Sequence, residues 1–571
     1  MGNSCIECDV LVIGSGAAGL AAAVTAAHHG LRVVVAEKDS QLGGTSAWSG
    51  GWLWIPRNPL AIEEGIIEEA DAPERYLRAE LRRDALDARQ QAFLRHGPAM
   101  VEFFRRHTRV QFVSGSRMPD MRESPGFARG GRSLCAEPFD GRALGPWIHR
   151  LRPPLDLISL AGMGIAAGAD LNHFLNATGS LRSALYAGVR LLCHGRDRLL
   201  HGRGLYLVNG NALVARLLCS ALDLGVQLLT ERPATALIER EGRIGGALLA
   251  HEEHRVQVNA ARGVVLACGG FPHDPSRLVE LDCPHHSAAP PCNTGDGLRL
   301  GEGVGGRVAD DLADAVAWAP VSQVPSQDGS RGAFPHLMER AKPGFIAVRA
   351  DGRRFTNEAD CYHDFMQALF AATPPGEPAE AWLIADHRAQ RRYGLGASRP
   401  FPLPLHRHLN SGYLKRGATM ADLAVRCGID ATQLERTVAD FNAHAVRGED
   451  PVFGRGRSAY NRAQGEPLHG PNPSLGPLTQ GPFYAVRLLP GSLGTFAGLR
   501  TDAAARVLDA KGAPIAGLFA VGNDMASVMD GHYPSGGITL GPCMTFGYLA
   551  GRLLAGIEMP EAAGLTPMAS A

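Results

Sequence analysis

Residues 9–19 read DVLVIGSGAAG, and this stretch decides the fold of the chain. Residues 9–14 form a short, β-branched apolar run, which predicts a buried strand of a parallel sheet. An Ala-rich helix should follow as far as His29, and residues 31–36 (LRVVVA) should form a second parallel strand. Strand, helix and strand fill about 30 residues, which is the size of one βαβ unit. The sequence therefore predicts an α/β fold with a Rossmann-like nucleotide-binding domain.

The glycines of this stretch have the spacing Gly-x-Gly-x-x-Gly. Gly14 allows the tight turn, Gly16 lets a pyrophosphate approach the backbone, and Gly19 lets the helix pack closely on the strand. The helix N-terminus would hold the pyrophosphate, and Glu37, after the second strand, would accept hydrogen bonds from a ribose 2′-OH. Because NAD and FAD both bind to this kind of turn, we expect one of these two dinucleotides here.

The composition excludes several classes of protein. The 571 residues are 45% hydrophobic and 20% charged, so the chain can bury a large core over several domains. The net charge is +0 and the arginines are scattered, which excludes the basic surface of a nucleic-acid-binding protein. No apolar run reaches the about 18 residues of a membrane-spanning helix, and residues 157–200 should form a helix pair instead.

The cysteines indicate a reducing compartment. No signal peptide is recognisable before Asp9, so we expect a cytoplasmic protein whose 11 cysteines are thiols. Cys5 and Cys8 have the spacing of a metal-binding pair, but no second pair of ligands stands near them in the sequence. We therefore expect no metal site.

The order of strand-like and Gly-rich segments divides the chain into three parts. Residues 1–285 should form the nucleotide-binding domain, with a helical insertion at about 140–205. Residues 286–478 are richer in Pro, His and Arg and should form an α+β cap domain over the substrate. Residues 479–571 should return to the first domain and complete it. Further strands are expected at 226–230, 235–239, 245–250, 263–267, 483–488 and 517–521, and a last helix at about 539–554.

Several short motifs identify the cofactor. Small-residue turns follow Glu37 at residues 43–46 (GGTS) and 49–51 (SGG), and residues 267–270 read ACGG, 294–297 TGDG and 517–523 GLFAVGN. With these motifs the chain, from Asp9 to about Gly556, resembles the flavoprotein superfamily of fumarate reductase, succinate dehydrogenase and 3-ketosteroid dehydrogenases, the FAD-dependent oxidoreductase 2 family. The resemblance implies that the cofactor is FAD.

The resemblance also implies which residues bind FAD and how. Relatives with covalent FAD have a His beside the second glycine turn, where this chain has Ser46, Ala47 and Trp48, so non-covalent FAD is expected. Added to Gly14, Gly16, Gly19 and Glu37, the implied FAD-binding residues are Ser15, Ala18, Lys38, Gly43, Gly44, Thr45, Ser46, Ser49, Gly50, Gly51, Ala234, Ala267, Gly269, Asp296, Gly522, Asn523, Gly537, Thr539 and Leu540.

Two segments distinguish the branches of this family. Residues 357–362 (NEADCY) place Tyr362 where fumarate-reductase-like enzymes have an Arg that delivers a proton, and residues 494–498 (GTFAG) lack their substrate-binding His. Both segments, and the turn at residues 533–537 (YPSGG), resemble the 3-ketosteroid dehydrogenases. In that branch Tyr362 would take the α-proton, Tyr533 and the Gly537 N–H would polarise the ketone, and N5 of FAD would accept a hydride.

The position of the new double bond stays open. Δ1-dehydrogenases have a further Tyr before a G-G-R turn, but residues 117–132 contain no Tyr, although Met121 and Phe127 could shape a sterol pocket. Δ4-(5α)-dehydrogenases use a Tyr-x-Ser pair, and Tyr533 and Ser535 have that spacing. The cap motif and the residues after Gly537 favour Δ1. His363 and His532 stand beside the two tyrosines in sequence, and we expect packed or exposed histidines rather than catalytic ones.

The motifs also leave other functions open and imply which partners the protein has. The alternatives, in order, are the Δ4-(5α) reaction, a fumarate-reductase-like enoate reductase and a flavin redox sensor without turnover. The expected partners are a small hydrophobic, steroid-like ketone and an external electron acceptor such as a quinone. No nucleic acid and no transmembrane segment are expected, and peripheral membrane contact stays open.

Overall fold

A computed structural model describes residues 5–251, 254–326 and 328–558. The strands are β1 Cys5–Ile13, β2 Val33–Ala36, β3 Trp52–Trp54, β4 Phe112–Ser114, β5 Ser133–Ala136, β6 Phe139–Asp140, β7 Tyr206–Leu207, β8 Gln227–Leu229, β9 Ala234–Arg240, β10 Arg243–His251, β11 His254–Leu266, β12 His286–Ser287, β13 Val316–Pro325, β14 Arg331–Pro335, β15 Phe345–Val348, β16 Ala381–Ala385, β17 Lys415–Gly417, β18 Phe483–Thr495, β19 Arg506–Leu508 and β20 Pro514–Ala520.

The helices follow the same order. The α-helices are α1 Ala17–His28, α2 Pro59–Glu63, α3 Ala72–Glu80, α4 Ala88–His107, α5 Ala169–Leu175, α6 Leu181–His201, α7 Asn209–Asp223, α8 Pro275–Glu280, α9 Asp296–Glu302, α10 Tyr362–Ala372, α11 His387–Tyr393, α12 His406–Asn410, α13 Met420–Cys427, α14 Ala431–Ala445, α15 Ala459–Gln464 and α16 Leu540–Leu554. Short 3₁₀ helices lie at Gly44–Trp48, Gly141–His149, Glu339–Ala341 and Gly522–Asp524.

The first sheet confirms the predicted α/β fold. Its strands run in the order β19-β20-β11-β1-β2-β8, and β10 and β9 extend it from β11. β1 pairs in parallel with both β2 and β11, as expected for its apolar run, and α1 packs between this sheet and α16. β1 begins at Cys5 rather than at Asp9, because its first residues pair with β11 from Gln257 onward. Cys5 is exposed and Cys8 is buried, so the two thiols lie on opposite faces of β1.

Gly14 and Gly19 make the contact between β1 and α1 possible. Gly14 has φ 110°, and a Cβ there would lie 2.1 Å from the Ala267 oxygen. A Cβ on Gly19 would lie 2.2 Å from the Gly14 oxygen, so any side chain would push α1 away from the sheet. These are the two structural roles expected of the first and third glycines.

The second sheet forms the core of the cap. Its order is β14-β13-β18-β16-β15, with β12 and β17 also paired to β18. The long strand β18 pairs antiparallel with β13 and β16, so it belongs to the cap sheet by its hydrogen bonds. The expected boundary at residue 479 assigned this strand to the first domain instead. By strand pairing, the chain returns to the first sheet only after Thr495, at β19 and β20.

The segment expected as a helical insertion contains α5 and α6. α6 has Gly202 in the left-handed conformation at its C-terminus and exposes Leu181, Leu185 and Leu192 on one face. In the part of the chain that the structure describes, no helix is both long and apolar enough to cross a membrane.

Candidate active site

A cavity of about 610 Å³ is lined by residues of the first domain, the cap and the insertion. The carboxyl ends of β1 and β2 open into it, as expected for a ligand site of a parallel sheet. Of the residues expected to bind FAD, those that line it are Gly14, Ser15, Gly16, Ala18, Glu37, Lys38, Gly44, Thr45, Ser46, Ser49, Gly50, Gly51, Ala234, Ala267, Gly269, Asp296, Gly522, Asn523, Gly537, Thr539 and Leu540. Gly19 and Gly43 lie behind this surface, where they permit close packing: a Cβ on Gly43 would lie 2.9 Å from Val214 Cγ1.

The glycine turn has room for a pyrophosphate. A Cβ added to Gly16 would meet only Ser46 Oγ within 4 Å, at 3.6 Å, so the open side of this residue faces the cavity. The N-terminus of α1 points the same way, and the Ala17 N–H donates to Ser46 Oγ over 3.0 Å. Free backbone donors at a helix N-terminus suit an anionic group, and these residues therefore fit the pyrophosphate of FAD.

Glu37 and Lys38 are held in place at the end of β2. Glu37 Oε2 accepts hydrogen bonds from Ser15 Oγ at 2.6 Å and from the Ser15 N–H at 3.1 Å. Lys38 Nζ donates to Thr294 Oγ1 at 2.7 Å and to Asp296 Oδ2 at 2.5 Å. The TGDG turn thus contacts the strand that presents the acidic residue, which brings three motifs far apart in sequence to one site.

The cavity wall also fits a non-covalently bound flavin. No histidine lines the cavity within the described ranges, although a His is the residue expected for covalent attachment in this family. Cys268, Cys292 and Cys543 do line it, but burial raises the pKa of the Cys268 thiol well above its ordinary value, that of Cys292 to about 11 and that of Cys543 to about 12. All three thiols therefore stay protonated and weakly nucleophilic at neutral pH.

Tyr362 and Tyr533 meet in this cavity. Tyr362 is the first residue of α10, Tyr533 precedes α16, and their ring centroids lie 4.9 Å apart at 72°. Both rings are buried. Burial is the main cause that raises the pKa of Tyr362 well above its ordinary value, and burial raises the pKa of Tyr533 as well. Both hydroxyls are therefore neutral at pH 7 in the absence of a ligand, so each can donate a hydrogen bond.

Two hydrogen bonds to the Pro534 oxygen hold the turn that carries Tyr533 in place. Tyr76 Oη donates to the Pro534 oxygen over 2.7 Å, and the Met121 N–H donates to the same oxygen over 3.2 Å. Gly537 has φ 100°, and a Cβ there would lie 2.6 Å from the Trp54 nitrogen. Within the described residues, no acceptor takes the Gly537 N–H. This amide is therefore free to donate to a ligand beside Tyr533.

An ion network joins the start of α10 to the first domain. Arg122 Nε donates to Asp364 Oδ2 over 3.0 Å, and its other nitrogens pair with Asp364 and with the buried Glu80 of α3. Arg122 thereby connects α10, which begins with Tyr362, with α3, whose Tyr76 donates to the turn that carries Tyr533.

Ser535, His363 and His532 do not line the cavity. Ser535 is fully buried and does not line the cavity. In this structure it is therefore not a second hydroxyl that faces the substrate beside Tyr533. His363 Nδ1 accepts from the Trp318 N–H over 3.1 Å and its Nε2 lies 3.1 Å from Asp314 Oδ2, which occupies both ring nitrogens. Burial lowers the pKa of His532, so this residue stays neutral.

A third tyrosine, Tyr460, was missed by sequence reasoning. It comes from α15, lines the cavity and is buried, and its charge would add to those that raise the pKa of Tyr362. It belongs to none of the motifs quoted above, so only the tertiary structure brings it to the site. Met118 and Met121 line the cavity in the segment that lacks the family's extra Tyr, whereas Phe127 does not.

A family model for the FAD-binding domain matches residues 9–540 of the chain. The chain belongs to this family. It is an FAD-dependent oxidoreductase of the class that acts on CH–CH bonds, which confirms the cofactor and the enzyme class predicted from the sequence.

Individual relatives identify the branch. The chain is 40% identical to the 4-oxocyclohex-2-ene-1-carboxylate 5-dehydrogenase of Sinomonas cyclohexanicum, over 96% of this chain and 94% of that one. It is 35% identical to the 3-oxosteroid 1-dehydrogenase of Mycobacterium tuberculosis, over 95% and 97% of the two chains. It also resembles the crystal structure of 3-ketosteroid delta1-dehydrogenase from Sterolibacterium denitrificans in complex with 1,4-androstadiene-3,17-dione, with TM-score 0.88, 34% identity and coverage of 96% and 99%. The predicted resemblance to the 3-ketosteroid dehydrogenase branch is therefore confirmed.

Proposed function

We propose that this flavoenzyme introduces a C=C bond next to a ring ketone, as a 3-ketosteroid Δ1-dehydrogenase does. The observation that carries the proposal is the Tyr362–Tyr533 pair in the cavity, with the free Gly537 N–H beside it. Two hydrogens must leave neighbouring carbons, and this needs a polarised ketone, a base and a hydride acceptor.

In this proposal Tyr533 and Gly537 bind the ketone oxygen. The Tyr533 hydroxyl and the Gly537 N–H donate to it and stabilise the enolate that forms when the α-proton leaves. One such donor is typically worth about 10²–10³ in rate. Because Gly537 lies just before α16, the helix N-terminus adds positive potential at the same oxygen.

Tyr362 is proposed as the base that takes the α-proton. It faces the cavity from the cap side, opposite the glycine turns of the first domain. Bound FAD would supply the acceptor for the hydride from the neighbouring carbon. Since burial raises the pKa of Tyr362, its phenolate is scarce at pH 7 and the rate should depend strongly on pH.

The position of Ser535 supports Δ1 over Δ4-(5α) chemistry. The Δ4 alternative uses the Tyr-x-Ser pair, but Ser535 is buried behind the turn and does not line the cavity. Tyr460 supports the same choice, because it adds a third tyrosine to the cavity wall, to which residues 117–132 contribute methionines and no tyrosine. Reoxidation is assigned to an external acceptor of the quinone type, since the sequence has no second strand–glycine turn–helix unit for a nicotinamide cofactor.

A smaller ring ketone is the second candidate substrate. The relative with 40% identity is named as a dehydrogenase of 4-oxocyclohex-2-ene-1-carboxylate, and the relative with 35% identity as one of 3-oxosteroids. Both names describe desaturation beside a ring ketone, so the proposed chemistry is the same for the two substrates.

The proposal is tested by anaerobic stopped-flow reduction of the flavin. Tyr533→Phe should slow reduction by about 10²–10³-fold and Tyr362→Phe by about 10²–10⁴-fold, with FAD still bound. Tyr484→Phe is the matched control, because Tyr484 is buried in β18 outside the cavity. Rates of both cavity variants within about threefold of wild type would contradict the assignment.

The choice of ketones separates the alternatives. Androstenedione already has the Δ4 bond, so flavin bleaching by it supports Δ1 chemistry. Bleaching by only a 5α-reduced 3-ketosteroid supports the Δ4-(5α) reaction instead. Reoxidation of dithionite-reduced enzyme by fumarate would indicate an enoate reductase, and no response to any of these compounds or to 4-oxocyclohexanecarboxylate would indicate a sensor.

A further inference from the structure

Arg399 is a cation in the cavity wall that has no acidic partner among the described residues. Its Nη2 donates to the backbone oxygens of Leu157 and Ser159, the latter over 2.8 Å. Among the described residues, its Nε and Nη1 have no hydrogen-bond acceptor, and no carboxylate lies within 4.0 Å of its guanidinium. The two backbone bonds therefore orient the guanidinium and leave further N–H groups available.

The other cations of the cavity wall belong to the dinucleotide end. Lys38 is paired with Asp296 at the end of β2, and Arg232 lies two residues before Ala234, which is one of the residues expected to bind FAD. Arg399 instead comes from the cap, and its backbone partners flank Ile158 of the insertion, which also lines the cavity. Its position is therefore on the side of the cavity formed by the cap and insertion.

Glu339 is an acidic residue in the cavity wall, and it lies at ion-pair distance from His336. Glu339 lines the cavity, but its Oε1 lies 2.6 Å from His336 Nδ1. His336 Nε2 in turn lies 2.7 Å from Ser322 Oγ, which is 2.7 Å from Tyr413 Oη. The contact between Glu339 Oε1 and His336 Nδ1 lacks hydrogen-bond geometry and is an ion-pair distance only, and no ion pair among the described residues joins Glu339 to Arg399.

Burial without a counter-ion is costly for Arg399. Arg399 is half-buried, and desolvation lowers its pKa, which is the direction expected for a partly buried cation without an anion beside it among the described residues. A carboxylate ligand would remove this cost, and the planar guanidinium offers it two parallel N–H donors.

Arg203 shows what a purely structural arginine looks like in this fold. It also donates to two backbone oxygens, those of Ile148 and Leu151, at 2.7 and 2.6 Å. Its Nε is sealed inside the protein, and Arg203 does not line the cavity. Arg399 has the same kind of backbone anchor but is placed at the cavity surface.

We propose that Arg399 binds a carboxylate of the substrate, so that the preferred substrate is a ring ketone with a carboxylate at a distance from the ketone. This inference rests on the proposed function for the ketone end and adds the second point of attachment. The carboxylate can belong to a small ring, as in 4-oxocyclohexanecarboxylate, or to the side chain of a steroid, as in a 3-oxo bile acid. The Tyr533 and Gly537 donors would hold one end of the substrate and Arg399 the other.

The test compares each acid with its own carboxamide, which has nearly the same shape but no charge. With FAD-loaded wild-type enzyme, kcat/KM for flavin reduction by the acid should exceed that by the amide by about 10-fold to 10²-fold, as for a hydrogen bond to a charged group. The small and the steroidal pair are measured separately, and the pair that shows the preference identifies the length of the substrate.

Variants then assign the preference to Arg399. Arg399→Gln should remove the preference for the acid, so that kcat/KM falls about 10-fold to 10²-fold more for the acid than for the amide. Arg399→Lys should restore part of the preference. Arg203→Gln is the matched control and should keep the preference. Equal rates for acid and amide in the wild type at both lengths, or equal losses for both in Arg399→Gln, would overturn the inference.

A binding measurement separates this inference from the proposed function. Cyclohexanecarboxylate has no ketone, so its binding to oxidised holoenzyme, followed by the flavin absorbance, reports the carboxylate site alone. Binding that is weaker for the carboxamide and weaker in Arg399→Gln supports the site even if no ketone reduces the flavin. Reduction by neutral ketones without any acid preference would uphold the proposed function and refute the role of Arg399.

Discussion

At the scale of single residues, the chemistry depends on how burial shifts the tyrosine hydroxyls. Tyr362, Tyr533 and Tyr460 all line the cavity, and burial raises the pKa of each above its ordinary value. A neutral phenol is a good donor to a ketone oxygen but a poor base. The proposed roles of Tyr533 as donor and Tyr362 as base therefore predict opposite responses to pH.

The rate of flavin reduction should rise with pH. Below a raised pKa, the fraction of Tyr362 present as phenolate increases about tenfold for each pH unit, so the rate at saturating ketone should increase with a similar slope from about pH 6 to about pH 9. Stopped-flow reduction across this range measures the slope. A plateau that begins below about pH 8 would contradict a base with a raised pKa, and Tyr362→Phe should give a flat profile.

Tyr460 is predicted to assist the base. Because burial keeps its hydroxyl protonated, Tyr460 can donate to the Tyr362 phenolate and stabilise it. Tyr460→Phe should slow flavin reduction by about 10-fold to 10²-fold, since hydrogen bonds to charged groups contribute about 1.5–3 kcal/mol. The pH profile should move to higher pH in the same variant. An unchanged profile would leave Tyr460 with a packing role only, and Tyr484→Phe again serves as the control.

At the scale of elements, the glycines between β1 and α1 serve two purposes, close packing of the backbone and binding of the cofactor. Gly14 and Gly19 are required by the fold, because any Cβ there would collide with backbone oxygens. Gly16 is different, since a Cβ there meets only Ser46 Oγ at 3.6 Å and its φ is negative. This difference matches the roles that the motif predicts for the three glycines, and it makes Gly16 the position where cofactor binding can be tested without breaking the fold.

Gly16→Val should yield a folded but colourless protein. The valine methyl groups would occupy the space of the pyrophosphate, so flavin content should fall to a small fraction of the wild-type value. Gly188→Val, in the surface helix α6, is the control for adding a valine where a Cβ meets nothing within 4 Å. Circular dichroism confirms folding and flavin absorbance measures content. A yellow Gly16→Val protein with full flavin content would refute this pyrophosphate site.

At the scale of the whole molecule, the cavity exists because two sheets and an insertion meet. The first sheet presents the glycine turns and the cap presents Tyr362, Tyr460 and Arg399. Arg122 connects the two through Asp364 and Glu80. FAD would therefore be held by non-covalent contacts from most of the chain and not by a covalent bond.

Unfolding of the whole molecule should release all of the flavin. The described cavity wall contains no histidine, and its buried thiols are kept protonated by desolvation. After denaturation by acid or by heat, followed by filtration, the flavin should be recovered quantitatively in the filtrate. Yellow colour that stays on the precipitated polypeptide would show a covalent link and contradict this prediction.

Much of the protein was determined by local sequence. The βαβ unit, the place of the dinucleotide and the class of cofactor follow from glycine spacing and apolar runs, because backbone conformation and close approach are properties of a few neighbouring residues. Tyr362 and Tyr533 could also be named in advance, since each stands in a short motif that resembles a known branch of the family. These features need no knowledge of which distant segments meet.

Only the tertiary structure decided the remaining features. β18 joined the cap sheet because β13 and β16 offer it partners on both sides, and local strand propensity does not distinguish one sheet from another. Ser535 was turned away from the cavity although its spacing to Tyr533 matched a catalytic pair. Tyr460 and Arg399 reached the cavity from segments without any motif. The burial that raises the pKa of the tyrosines arises from packing between distant parts of the chain.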